Sequence, residues 1–455
     1  MGHSIDHWKT LGTFTTILDI LPFALLLLLI AALPLHHATA HRWERNSVKF
    51  IVAVLFAASG ILLYVLPTHD WLRVGHTYLE YAAFLSLLAS LFIISGGIRI
   101  SGAFAGFPYI NTLFLGIGAL LANVLGTTGA SMLLIRPLLY ANRLRRNKTH
   151  IVVFFIFIVS NCAGLLTPLG DPPLYLGFLR GVPFDWTLGL WKQWSLTILI
   201  LLFVFHLVDE RMFDREDIAT KGSLVEDVNR ARKKVHIEGL RNAPLLLGVL
   251  LTILVAGYAV HPWLAETRGA EAAEIGSKLF QIVVMGLLAL LSLRITPKAV
   301  HKANEFHFGP ILEVAALFFG IFGAMIPALA ILEAKAASFG LTAPWQYFWS
   351  TGVLSSFLDN APTYLTFATL AASQSNVSAT QLGELAAQFP HLLAAVSCGA
   401  VFMGAVTYIG NGPNFMVKAI AEHSKVKMPS FGGYMLWSLG ILFPLFMLQT
   451  LLFFL

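Results

Sequence analysis

The chain has 455 residues, of which 57% are hydrophobic and only 12% charged, and its mean hydropathy of +0.75 leaves too little polar surface for a protein dissolved in water. The formal net charge of +6 is not read as a nucleic-acid footprint, because in a lipid-embedded chain the placement of Lys and Arg matters more than their sum. Two cysteines, Cys162 and Cys398, both inside apolar segments, exclude a disulfide scaffold and read as small packing residues.

Apolar runs at 20–33, 50–66, 82–98, 196–208, 245–260 and 436–455 approach or reach the roughly 20 residues that cross about 30 Å of hydrocarbon. The first lacks the basic leader and small-residue cleavage site of a signal peptide and is followed by Pro34, so it reads as a retained helix. Basic residues gather at Arg42, Arg45 and Lys49, at Arg143, Arg145, Arg146 and Lys148, along 211–241, at Arg294, Lys298 and Lys302, and at Lys418, Lys425 and Lys427. With basic loops placed in the cytoplasm, one threading satisfies all clusters, with both termini outside and about ten crossing helices.

In that threading the segments 107–140 and 344–372 begin and end on one face, cytoplasmic for the former and external for the latter. Each has a polar centre, around Asn123, Thr127, Thr128 and Ser131 in one and around Asp359, Asn360 and Thr363 in the other. They read as opposed re-entrant hairpins, whose non-helical tips must be covered by protein or line a wet cavity. The densely charged stretch 209–241 is the expected cytoplasmic linker between two halves, 1–208 and 242–455.

The halves match. A glutamate early in an apolar helix, Glu80 or Glu313, precedes the hairpin; an interrupted segment follows it, at 151–180 or 391–422. In the first interruption Thr167 precedes Gly170, Asp171, Pro172 and Pro173; in the second Thr407 precedes Gly410, Asn411, Gly412 and Pro413, with Asn414 beyond. Proline removes an amide donor and glycine loosens the turn, so each helix breaks within the membrane. Paired breaks in corresponding places mark a transporter's binding site. The expected fold is all-α and polytopic, with two inverted repeats of about five transmembrane helices, each carrying one hairpin and one broken helix.

A small cation in such a site needs several oxygen ligands, with a carboxylate to offset dehydration. The candidates are Asn123, Thr127, Thr128, Ser131, Asn161, Thr167, Asp171, Asp359, Asn360, Thr363, Thr407, Asn411 and Asn414, with sodium expected at Asp171 and Asp359. Asp171 directly precedes a proline, so helix capping is the competing role for it. Glu80 and Glu313 are placed nearer the membrane faces, as proton relays or as interfacial residues. Arg136 is the cation nearest the breaks.

These residues resemble the ion transporter superfamily, which holds NhaD-type sodium/proton antiporters, ArsB-type arsenite exporters and citrate–metal symporters. Asn161, Gly164, Thr167, Gly170, Asp171, Pro172 and Pro173 stand as in that branch's Asn-x-x-Gly-x-x-Thr-x-x-Gly-Asp-Pro-Pro pattern, and Leu358, Asp359, Asn360 and Pro362 as in its Leu-Asp-Asn-x-Pro hairpin tip. The resemblance implies a homodimer in which a transport part moves against a scaffold. The Ser-Asn-Thr tips of the divalent-anion branch are absent, with Gly126, Thr127 and Thr128 and then Asp359, Asn360 and Ala361 in their places.

The leading expectation is sodium/proton antiport across the plasma (bacterial inner) membrane, with Na+ or H+ as the moving ion, no cofactor and no nucleic-acid partner. The alternative is transport of citrate or another carboxylate, or export of an oxyanion such as arsenite. No His-Glu-x-x-His or Gly-x-Ser-x-Gly sequence occurs, so an enzyme is not expected.

Overall fold

The computed structural model describes residues 13–33, 43, 45–103, 106–219, 233–304, 306–335, 340–378 and 381–455. Over these the chain is an all-α, multi-span membrane protein. Eight helical segments are long and apolar enough to cross a bilayer, and a ninth forms if the pair Leu382–Gln388 and Pro390–Val406, bent by 116°, counts as one span. Of the expected linker, 209–219 continue a helix, while 220–232 lie outside the described residues.

In chain order the main helices of the first half are α1 (Thr13–Ala32), α2 (Asn46–Thr68), α3 (Trp71–Gly96), α4 (Pro108–Ala141), α5 (Thr149–Ile158), α6 (Pro172–Leu179) and α7 (Trp191–Ala219). Those of the second are α8 (Ala243–Val255), α9 (Ala270–Ile295), α10 (Gly309–Lys335), α11 (Pro344–Phe357), α12 (Asn360–Gln374), α13 (Pro390–Met403), α14 (Gly412–His423) and α15 (Phe431–Phe453). Proline sits in the first turn of α4, α6, α8, α11, α13 and α14, where its fixed φ suits a helix start and its missing N–H costs nothing. A two-stranded antiparallel ribbon, β1 (Arg99–Ala103) with β2 (Lys233–Glu238), is an addition the all-α expectation did not contain.

Two helices from each half interlock: α2 and α3 of the first pack against α10 and α9 of the second. α2 lies so close to α10 that a Cβ on Gly60 would come within 2.6 Å of the Ala324 Cα, and one on Gly320 within 2.7 Å of the Ala53 Cα. On α3, Phe84 stacks on Phe318 of α10 at 4.9 Å between ring centroids, and the Tyr81 hydroxyl donates to the Ala315 carbonyl at 2.9 Å. The halves are therefore packed through each other rather than side by side.

Both hairpins are present. A straight helix the length of α4 would hold its ends about 50 Å apart, yet Asn111 and Asn142 exchange side-chain hydrogen bonds of 3.0 and 2.8 Å. The reversal is at Gly126, whose φ of 74° suits a residue without Cβ. In the second hairpin α11 ends at Phe357 and α12 begins at Asn360, and Tyr347 near one open end donates to Gln374 at the other.

The open end of the first hairpin is anchored by charge. Asp209 of α7 is fully buried, pairs with Arg145, and is bonded to His150 Nε2 and Asn111 Nδ2, both at 2.8 Å; Glu216 closes the cluster from about two turns further on. These acids belong to the packed body of the protein, where the sequence suggests a solvated helix or loop.

Candidate ion site where the broken helices meet

Each interruption is a chain crossing. Between α5 and α6 a short 3-10 turn, Cys162–Leu166, leads into five residues that are not α-helical. There the backbone passes itself so closely that a Cβ on Gly170 would lie 2.2 Å from the Gly164 carbonyl oxygen. Between α13 and α14 the same contact recurs, Gly410 to the Gly404 oxygen, at 2.6 Å. A glycine six residues before another is thus what lets the helix stop and restart without a clash.

Threonines staple the breaks to the hairpin tips. Thr167 Oγ1 donates to the Asn123 carbonyl at 2.5 Å, and Thr407 Oγ1 donates in the same way to the Ser356 carbonyl. The Thr127 amide adds a bond of 2.8 Å to the Gly170 carbonyl. Four helix starts then face one point: those of α6, α12 and α14, and of the part of α4 that follows Gly126. Their unpaired amides and dipoles make it electropositive.

Asp171 occupies that point with 1% of its surface exposed. Its side chain makes no capping bond to α6; instead, Thr127 Oγ1 donates to Oδ1 at 2.8 Å, Asn411 Nδ2 to Oδ1 at 3.2 Å and Asn360 Nδ2 to Oδ2 at 2.5 Å. A second layer supports these groups. Asn411 Nδ2 also reaches Asn161 Oδ1 at 3.2 Å, Asn161 Nδ2 donates to Asn414 Oδ1 at 2.6 Å, and Asn414 Nδ2 holds the Gly404 and Thr407 carbonyls at 2.9 Å. The Asn360 Oδ1 is buried and without a hydrogen-bond partner.

Of the thirteen candidates, Thr127, Asn360 and Asn411 therefore contact Asp171, and Asn161 and Asn414 hold them in place. Asn123, Thr167 and Thr407 are staples. Thr128, half-buried, lines the adjoining cavity. Ser131 pairs with Ser160 at 2.8 Å, and the Thr363 hydroxyl donates to the Asp359 carbonyl at 2.9 Å. Asp359 caps α12, its Oδ1 accepting from the Ala361 amide at 3.1 Å.

The glutamates differ most from expectation. Glu80 is buried between two cations, Arg180 Nη2 at 3.3 Å and Lys278 Nζ at 3.6 Å. Glu313 is half-exposed but pairs with the buried Lys49 at 2.5 Å. Sequence reasoning passed over Arg180, Lys278 and Lys49 as members of charge clusters or loops. The available signal was a lone cation in an apolar stretch, as Arg180 is beyond Leu179.

A cavity at the first hairpin tip adjoins a larger one beside it. The larger, about 200 Å3, lies between Phe92, Ser95 and Asn304 on one side and Arg136 and Met416 on the other, with His307 in its lining. The smaller, about 60 Å3, is lined by Gly126, Thr127, Thr128, Gly170, Pro172 and Gly412. They share Phe92, Pro310 and Met416, so they adjoin. Among the described residues no group of three or more His, Cys, Asp or Glu could hold a metal ion.

No curated protein matches the chain. A family described as putative citrate transport matches residues 12–454. With nearly its whole length covered by that family's pattern, and with a multi-span helical fold to match, this chain belongs to the putative citrate transport family and is a secondary transporter.

Proposed function

We propose that the protein exchanges sodium for protons by alternating access across a bacterial plasma membrane, with the cation and the proton competing for Asp171. The observation that carries this reading is a buried carboxylate where four helix starts from both halves meet, beside an Asn360 oxygen that has no donor. A carboxylate so placed is a functional group by default, and an unpartnered buried acceptor invites a cation. The cavity of about 60 Å3 at the tips has room for an ion and a few waters and too little for a six-carbon tricarboxylate. Asp359, at the tip of the second hairpin, caps α12 and so holds Asn360 in place beside Asp171. The two halves run in opposite directions, so one moving part presents the site to either face, and each subunit of a homodimer carries its own site.

The test is sodium-dependent collapse of a pH gradient in proteoliposomes. Asp171→Asn abolishes it and Asp359→Asn slows it; an unchanged rate in Asp171→Asn refutes the assignment.

A second reading, uptake of a citrate-class carboxylate, is favoured by the family description and by the larger cavity. Its volume of about 200 Å3 and the presence of Arg136, Asn304 and His307 in its lining suit an anion near the tips. Labelled citrate uptake that depends on sodium or protons, and is lost in Arg136→Gln, supports it over exchange alone.

A further inference from the structure

The cavities beside the hairpin tips open between α3 and α10 on one side and α4 and α14 on the other. At the opposite end of α3 those parts are held together. Arg180, directly after α6, reaches Glu80 of α3 with Nε at 3.4 Å and Nη2 at 3.3 Å, and Thr369 of α12 with Nη1 at 3.3 Å. Tyr175 of α6 donates to Gln281 of α9 at 2.6 Å. Lys278 of α9 completes the cluster, 3.6 Å from Glu80 and 2.8 Å from Glu274.

Arg180, Glu80 and Lys278 are all buried. Two acids and two bases balance, so the cluster persists in a low-dielectric setting where an unmatched charge would not. In the alternating-access reading proposed above, α3 and α9 pack with α2 and α10 as the scaffold, and α6 and α12 belong to the part that carries Asp171. A second Lys–Glu pair, Lys49 of α2 with Glu313 of α10, joins two scaffold helices and, among the described residues, has no arginine from the moving part. Of these two pairs, among the described residues, the first is the one bridged by an arginine, on the side away from the open cavity.

We propose that Glu80 and Arg180 are positioning residues for transport: their ion pair latches the Asp171-bearing part to the scaffold in the state seen here and must break for the site to face the other way. Its strength sets the balance between the two states, because a contact made in one state and absent in the other shifts the equilibrium by its own free energy. The inference rests on alternating access but not on the identity of the ion.

The test uses Met416→Cys, which lines both cavities; the native Cys162 and Cys398 are buried. Full-length protein in right-side-out and inverted membrane vesicles is labelled with a membrane-impermeant maleimide, with no substrate present. The parent labels predominantly from one face. Glu80→Gln combined with Arg180→Gln keeps the cluster neutral through Lys278 and Glu274 and is expected to lower the ratio of labelling between the two faces about tenfold, within the usual range of a coupling interaction. Arg180→Lys keeps the charge and the parent ratio. The Lys49→Gln/Glu313→Gln control leaves the ratio unchanged. An unchanged ratio in the folded Glu80/Arg180 variant, an equal shift in the control, or a lysine variant that behaves like the double substitution overturns the proposal. Thermal unfolding of each variant separates misfolding from a shifted balance. Asp171→Asn exchange measurements test the functional assignment separately.

Discussion

Gly170→Ala probes the crossing that builds the site. The added methyl would start 2.2 Å from the Gly164 carbonyl oxygen and 2.8 Å from its carbonyl carbon, against the roughly 3.5 Å at which non-bonded heavy atoms rest. Both obstacles are backbone, so one strand of the crossing must move by about 1 Å. That displacement is shared by its neighbour Asp171, whose bond from Asn411 is already 3.2 Å long, and the ring of donors opens. Overpacking of this kind costs about 1–3 kcal/mol, which a large helical protein survives. The expected result is a folded protein with lowered thermal stability and no measurable exchange. Gly412→Ala is the matched control: it stands one residue beyond Asn411 in the other break, and a Cβ there meets nothing within 4 Å. It keeps both stability and flux. Thermal unfolding in detergent and flux in proteoliposomes on both variants decide the matter; equal behaviour of the two alanines refutes the argument from crossing backbones.

Other expectations follow from single contacts. Asn360→Ala removes one donor from Asp171 and one unpartnered oxygen, and should reduce apparent sodium affinity in the flux assay while costing about 1–3 kcal/mol in unfolding. Arg145→Met strands Asp209 and Glu216 in the packed interior and should destabilise by about 3–5 kcal/mol, read by thermal unfolding. Gly320→Leu forces α10 off the backbone of α2 and should abolish folded, monodisperse protein in size-exclusion chromatography. Gly286→Ala, on an open face of α9 with no atom within 4 Å, should leave stability equal or raise it by up to about 1 kcal/mol.

The membrane class, both hairpins and both breaks were legible because each has a local signature: an apolar run, a polar centre between two apolar arms, or glycine with proline. The bends fall where the polar centres predict, at Gly126 and between Phe357 and Asn360. The use of each polar side chain was not legible. Thr127 and Thr167 are equally plausible ligands in sequence, yet the first faces Asp171 and the second binds a carbonyl, a choice fixed by backbone approach across 44 residues. Glu80, Arg180 and Lys278 come from three distant segments, and no local pattern announces that they meet. The capping alternative for Asp171 rested on its neighbour Pro172 and fails because the side chain turns away from α6 to three donors.

The correspondence between the halves is close in shape and broken in charge. Gly164, Thr167 and Gly170 have counterparts in Gly404, Thr407 and Gly410, and the threonine staples land on Asn123 and Ser356, each four residues before a side chain that donates to Asp171. The residue following the second glycine is Asp171 in one half and Asn411 in the other. Had both been aspartate, two carboxylates would face each other across one buried point, and their repulsion would hold a proton there through the cycle. With an amide opposite, the pair presents a single negative charge that one proton or one monovalent cation balances. The other acid, Asp359, stands where the first hairpin has Gly126, and is tied to its own helix start. Asn411→Asp should therefore trap a proton between the two acids and suppress sodium-driven exchange at neutral pH, with activity returning as the pH is raised. A variant that exchanges sodium normally at neutral pH would show that the charge difference between the halves is immaterial.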